Sequence, residues 1–224
     1  MVEIVTARND DKLSAEQLNL LRRCLPKEIG DKANKFLKWQ DVQASLIGKY
    51  ILAKGLMNFG FDMRALERLK YTTYGRPYLI PEIDFNISHS EGYVVCAISD
   101  ELRVGIDVEQ IRPVVISDFK DQFNHRELTA IMKANDKHEE FFRHWTIKEA
   151  ILKADGRGLN IPLNEIETND HVCVADENWY IHKIQLDSAY MVHLAVNNLL
   201  PQNSISVSEI AISHDLAQPR LFVD

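Results

Sequence analysis

An α+β protein made of two mixed halves is what this sequence predicts, and three observations carry the prediction. Residues 14 to 70 place apolar side chains at helical spacing, with Pro26, Gly55 and Gly60 as punctuation. Residues 85 to 109 alternate apolar and polar side chains, the period of strands. The order then returns, with helical patterning from Arg126 to Ala154 and alternation from 166 to 213. A chain of 224 residues is long enough for one large domain or two halves of about 100 residues, each with its own core. The division falls between 1–101 and 102–224, inside the polar turn at Ser99-Asp100-Glu101.

Ser14 can cap a helix that runs through Cys24, with Leu18, Leu21 and Leu25 on one face and Pro26 ending it. A second helix is expected from Asp31 to Asn58, with a break near Trp39 to Asp41. Residues 62 to 70 read as a short helix, and Tyr74-Gly75-Arg76-Pro77 is turn chemistry leading into an extended piece. Phe85 to Ser90 alternates as a strand, with Asn86, Ser88 and Ser90 on one side and His89 on the other. Tyr93 to Ile98 and Val104 to Glu109 follow as strands of a hairpin. Asn124 or Ser117 can cap the helical pattern from Arg126 to Ala134. A longer helix runs from Glu139 to Ala154 and stops at Gly156 and Gly158; the rest reads as antiparallel strands.

Composition narrows the class. Hydrophobic content of 46% and charged content of 26% are those of a folded globular protein. No run nears the roughly 20 apolar residues that cross a bilayer, and the first residues carry no basic leader pattern, so a cytoplasmic protein that does not enter the membrane is expected. Cys24, Cys96 and Cys173 are odd in number and lack metal or disulfide spacing; Cys96 and Cys173 read as buried. A net charge of -7 opposes nucleic-acid binding. Residues 1 to 100 carry 14 basic and 13 acidic groups and residues 101 to 224 carry 12 and 20, so acidity is concentrated in the second half. The exception is a basic cluster, Arg22, Arg23, Lys27, Lys32, Lys35 and Lys38, suited to phosphates or an acidic partner, or to an ordinary solvated face.

Two stretches carry the chemistry. In Val104-Gly105-Ile106-Asp107-Val108-Glu109 the strand period puts Asp107 and Glu109 on one face, with Gly105 leaving open space beside them. Two carboxylates so placed repel each other unless a cation or basic group lies between them. In Trp145 to Lys153 the helical period aligns Trp145, Glu149 and Lys153. If that helix packs on the strand, Glu149 becomes a third oxygen ligand, and three carboxylates suit magnesium better than zinc. The plainer reading is that strand carboxylates face solvent and that Glu149 and Lys153 form a helix pair of about 0.2–0.5 kcal/mol. Trp145, Phe141 and Phe142 read as core.

Four blocks in order, Gly75-Arg76-Pro77, Asn86-Ile87-Ser88-His89-Ser90, Gly105-Ile106-Asp107-Val108-Glu109 and Trp145-Thr146-Ile147-Lys148-Glu149-Ala150 through Lys153, give a specific signature. On them the sequence resembles the surfactin-synthetase-type 4'-phosphopantetheinyl transferases, which move phosphopantetheine from coenzyme A to a serine of a carrier protein. The resemblance implies two similar α+β halves packed as a pseudo-dimer in one monomeric chain. It implies that Asp107, Glu109 and Glu149 hold magnesium, with manganese as a substitute, and that Lys153 sits by the transferring phosphate. Arg76 and Pro77 are implied to line the adenine side, Ser88 and His89 to contact phosphates, and Lys32 to bind the coenzyme. For the serine proton, Glu149 or a water on the metal is the acceptor. An apo acyl or peptidyl carrier protein is the implied partner, docking on Ile116 to Ala134 with Phe119 and Phe123 as apolar contacts, although Phe123 reads equally as core. The chain departs from the pattern at Ala44, where many members have Arg, leaving Lys49, Lys35 or Lys38 to hold the 3'-phosphate. Fatty acid, polyketide or nonribosomal peptide synthesis is the implied setting. Two rival functions use parts of the same pattern: a magnesium-dependent nucleotide pyrophosphate hydrolase, and a non-catalytic carrier-binding module.

Overall fold

The first strand is one the sequence patterning left unassigned. Val2–Arg8 forms β1, and its alternation is hidden because both faces are buried. The computed structural model describes residues 1–79, 83–201 and 203–217. After β1 come α1 (Ala15–Arg23), α2 (Lys27–Ala33) and α3 (Trp39–Leu56). The hairpin β2 (Lys70–Tyr71) and β3 (Pro77–Tyr78) precedes β4 (Asp84–Ser90), β5 (Tyr93–Ser99) and β6 (Val104–Gln110). Then follow α4 (His125–Lys133), α5 (Lys137–Asp155), β7 (His171–Val174), β8 (Glu177–Lys183), β9 (Tyr190–Val196), β10 (Ile205–Glu209) and the short α6 (Ile212–Asp215).

Local chemistry sets the helix ends. Ser14 accepts the amide of Gln17 while the Gln17 side chain accepts the amide of Ser14, a capping box worth about 1 kcal/mol. Asn124 and Glu127 do the same for α4, and Asp136 caps α5. Gly156, at φ +85°, ends α5 in the left-handed region that side chains disfavour. The break expected near Trp39 to Asp41 in the helical run from Asp31 to Asn58 falls earlier, at 34–38, so that α2 ends at Ala33 and α3 begins at Trp39. Residues Met63–Arg68 form a 3-10 helix.

Two four-stranded sheets result, in the orders β10-β1-β5-β4 and β6-β9-β8-β7. The expected run of antiparallel strands ends differently: β10 leaves the second sheet and pairs parallel with β1, Val2 opposite Ile205. One face of β1 and β5 packs under α3 through Val5, Val94, Cys96 and Ile98. The other face, with Val2, Ile4, Val95 and Ala97, meets Val104, Ile106, Val108, Val192 and Leu194 of the second sheet. The second sheet's far face takes α5 through Ile147, Ala150, Ile151 and Ala154. The order of layers is therefore helix, sheet, sheet, helix. Cys96 is buried as expected, whereas Cys173 is exposed because alternation along β7 turns Val172 and Val174 into the core and Cys173 outward. Among the described residues, no helix is long and apolar enough to cross a membrane.

Candidate active site at the seam between the halves

Alternation in β6 sends Val104, Ile106 and Val108 into the core between the sheets and turns Gly105, Asp107 and Glu109 toward α5. The space beside Gly105 is not open, as the sequence suggested. A Cβ there would lie 2.1 Å from the Ala150 carbonyl oxygen and 2.4 Å from the Ala154 nitrogen. Glycine lets the backbone of α5 rest against the backbone of β6. That contact brings Glu149 and Lys153 of α5 beside Asp107.

Lys153 Nζ lies 2.5 Å from Asp107 Oδ1 and 2.9 Å from Ser88 Oγ. Ser88 donates to the same Oδ1 at 2.9 Å, so one oxygen of Asp107 is fully engaged. The other, Oδ2, is buried and has no hydrogen-bond partner among the described residues. Glu109 accepts from Ser90 Oγ at 2.7 Å. Burial raises the Glu109 carboxyl above its ordinary value and the charge of Asp107 raises it further, with Ser90 opposing. Burial and Asp107 likewise raise Glu149, against Lys153. The three carboxylates thus share one electrostatic environment, although among the described residues no His, Cys, Asp or Glu trio is drawn together closely enough to hold a metal ion. All-oxygen donors and an orphaned buried carboxylate oxygen suit a hard divalent cation.

β4 supplies the other wall. Its polar face meets the free edge of β6, and its side chains take the place of a neighbouring strand. Asp84 accepts the Val104 amide, Asn86 that of Ile106, Ser88 that of Val108 and Ser90 that of Gln110. His89 lies on the opposite face and reaches solvent. Loss of water around part of its ring lowers the imidazole's pKa, against the pull of Asp41.

Arg76 is committed to structure. Nη1 and Nη2 clasp Asp84 at 2.7 and 2.8 Å, Nε donates to the Lys153 carbonyl at 2.9 Å and Nη2 also donates to the Val104 carbonyl at 3.0 Å. Four of the five N–H groups of a guanidinium have partners there, joining the β2–β3 hairpin, β4, β6 and α5. A cavity of about 330 Å³ lies beside it, lined by Arg76, Pro77, Tyr74, Glu149 and Lys153 among others. Lys32 is not in that lining; its ammonium sits 4.0 Å over the ring of Tyr71, whose strand partner is Pro77. Ala44 is buried on α3. Lys49 is half-buried and desolvation lowers its ammonium, while Lys35 and Lys38 are exposed.

Inspection of the sequence passed over Lys148, next to Glu149. It is fully buried, 2.9 Å from Glu127 and bonded to the carbonyls of Leu163 and Ile166. Glu127 also accepts from Thr168 and from the Asn124 amide, so α4 is tied to α5 beside the carboxylates. The signal available in sequence was a lysine with Trp145, Ile151 and Leu152 at helical spacing around it. Phe123 packs in the core, 4% exposed, and Phe119 stacks edgewise on Phe141 and Trp145.

Two family models cover most of the chain. The 4'-phosphopantetheinyl transferase superfamily model matches residues 103–198, and the 4'-phosphopantetheinyl transferase N-terminal model matches residues 12–101. The 4'-phosphopantetheinyl transferase gsp of Aneurinibacillus migulanus is 31% identical over 166 residues, 73% of this chain and 70% of that protein. A 4'-phosphopantetheinyl transferase of Bacillus subtilis is 29% identical over 194 residues, 81% and 86% of the two chains. The L-aminoadipate-semialdehyde dehydrogenase-phosphopantetheinyl transferase of Rattus norvegicus is 31% identical over 173 residues, 68% of this chain and 55% of its own.

Proposed function

The chain belongs to the 4'-phosphopantetheinyl transferase family, and on that premise we propose that it transfers phosphopantetheine from coenzyme A to a serine of an apo carrier protein, with magnesium. The observation that carries this reading is the state of Asp107: one oxygen held by Ser88 and Lys153, the other buried without a hydrogen-bond partner among the described residues. Asp107, Glu109 and Glu149 are the residues that would hold the ion. Once bound, it would neutralise the pyrophosphate and the charge that builds on the departing oxygen.

The protein's own groups supply the rest. The serine oxygen attacks the β-phosphorus, the bond from that phosphorus to the bridging oxygen breaks, and 3',5'-ADP leaves. Lys153, at the mouth of the cavity, places a fixed positive charge by the phosphoryl oxygens. The Glu149 carboxylate has no hydrogen-bond or ion-pair partner among the described residues and is the acceptor for the serine proton. His89 is assigned to the phosphates, Pro77 and the stem of Arg76 to the adenine side, and Lys32 with Lys49 to the outer phosphate. The acidic carrier would approach over Ile116 to Ala134, where Met132 is an exposed apolar side chain, at 54%, with Val115 just before the stretch at 63%. A monomer working in the cytoplasm completes the reading.

Intact-protein mass spectrometry of an apo carrier protein, incubated with this protein, coenzyme A and magnesium, tests it. The expected result is a mass gain of one phosphopantetheine that a chelator abolishes. Cleavage of coenzyme A without any gain on several carriers would replace the reading with a hydrolase. Neither gain nor cleavage would leave a binding module.

A further inference from the structure

The four rungs between β4 and β6 differ in chemistry. At the two rungs away from the carboxylates, Asp84 and Asn86 present carboxylate and amide oxygens that accept the Val104 and Ile106 amides at 2.7 and 2.9 Å. At the two rungs beside Asp107 and Glu109 the residue is serine. A hydroxyl puts an acceptor and a single donor proton on one atom. Ser90 Oγ accepts the Gln110 amide at 3.2 Å and gives its proton to Glu109 Oε2 at 2.7 Å. Ser88 Oγ accepts from Val108 and Lys153 and gives its proton to Asp107 Oδ1. With a lone pair of each hydroxyl tied to an amide of β6, the proton has one carboxylate oxygen to serve.

We infer that Ser90 is a positioning residue for the metal centre: by holding Glu109 Oε2 it leaves Oε1 for a divalent cation, as Ser88 leaves Asp107 Oδ2. A strand of the first half thereby sets which oxygens of the second half are free, and the centre is complete only across the seam. The inference rests on the proposed magnesium-dependent reading. It adds a role for a residue that neither touches substrate nor ligates the ion.

The test is titration with Mn2+, followed by the electron paramagnetic resonance of the free ion, on the full chain with and without coenzyme A. Ser90→Ala is expected to bind Mn2+ about tenfold more weakly than the wild type and to need more magnesium for half-maximal rate. Ser90→Thr, which keeps the hydroxyl, is expected to restore both. Asn86→Ala removes a rung of the same ladder without touching a carboxylate, so it is expected to lower the melting temperature and leave Mn2+ affinity unchanged. Unchanged Mn2+ affinity in Ser90→Ala, or equal loss in Asn86→Ala and Ser90→Ala, would overturn the inference. A wild type that binds no Mn2+ in either condition would overturn the metal reading beneath it, and the inference with it.

Discussion

α3 and α5 are long helices laid across four-stranded sheets, yet they are packed in opposite ways. In α3 the glycines are on the helix: Gly48 and Gly55 admit side chains from the sheet, Ile87 at 2.9 Å and Ile98 at 2.4 Å from where a Cβ would stand. The buried residues of α3 are almost all apolar, with Gln43 the polar exception. In α5 the glycine is on the strand, and it is the helix backbone that fills the gap at Gly105. α5 buries His144, Thr146, Lys148 and Asp155 as well as apolar residues. The difference shows how one layout can serve two ends. Side-chain interlock in the first half makes a core, whereas backbone contact in the second draws charged residues together and makes a site.

The largest way to break that comparison is chemical. Asp107→Asn and Glu149→Gln keep side-chain volume and are expected to leave a folded protein whose transfer rate falls about a thousandfold, roughly 4 kcal/mol of barrier. Carrier loading at saturating magnesium and coenzyme A measures it, and wild-type rates in either variant would remove these residues from the metal centre. The buried polar residue of α3, Gln43, bonds Asn9 and the Leu13 amide and so ties loops of the first half together.

Lys148→Met strips the partner from buried Glu127, and a loss of about 3–5 kcal/mol in urea unfolding is expected. Pairing it with Glu127→Leu should recover part of that loss. Gly105→Ala is expected to cost roughly 3 kcal/mol and to abolish transfer, since helix backbone has to move. Gly48→Ala, which meets the Cγ2 methyl of Ile87 at 2.9 Å and no backbone atom, should cost less than half as much. Equal costs at the two glycines would show that the packing contrast does not hold.

A further effect is in pH. His144 Nε2 lies between two opposed partners, Arg143 Nη2 at 3.0 Å, which can only donate, and Glu140 Oε1 at 3.1 Å, which can only accept. Burial, then the charge of Arg143, pushes its pKa down to about 4, despite Glu140. The unfolded ring takes up its proton near pH 6.5, so the contribution to stability is intact above that value. It falls as pH drops from about 6.5 toward 4, by roughly 2–3 kcal/mol. A His144→Gln variant is expected to show a flatter melting profile across that window; an unchanged slope would mean that His144 does not set it.

Much of this was legible because the chemistry lies on local periods. Alternation in β6 put Asp107 and Glu109 on one face, and helical spacing put Glu149 and Lys153 in line. The ordered motifs named the family. What stayed hidden is non-local or silent. β10 pairs with β1 across the whole length of the chain, a contact no local pattern encodes. Gly105 carries no side chain to announce that a helix backbone rests on it. Ser90 reads as one more polar strand residue until β6 lies beside it, and Arg76 reads as turn chemistry until its three partner residues, Asp84, Val104 and Lys153, converge.

The central claim is that the carboxylate face of β6 and α5 is a metal centre. Diffraction from crystals grown with Mn2+ and coenzyme A tests it directly through the anomalous signal of manganese. One peak roughly 2.1 Å from oxygens of Asp107, Glu109 and Glu149 is the expected result. A peak held by other residues, or none on that face with the coenzyme bound, would contradict it.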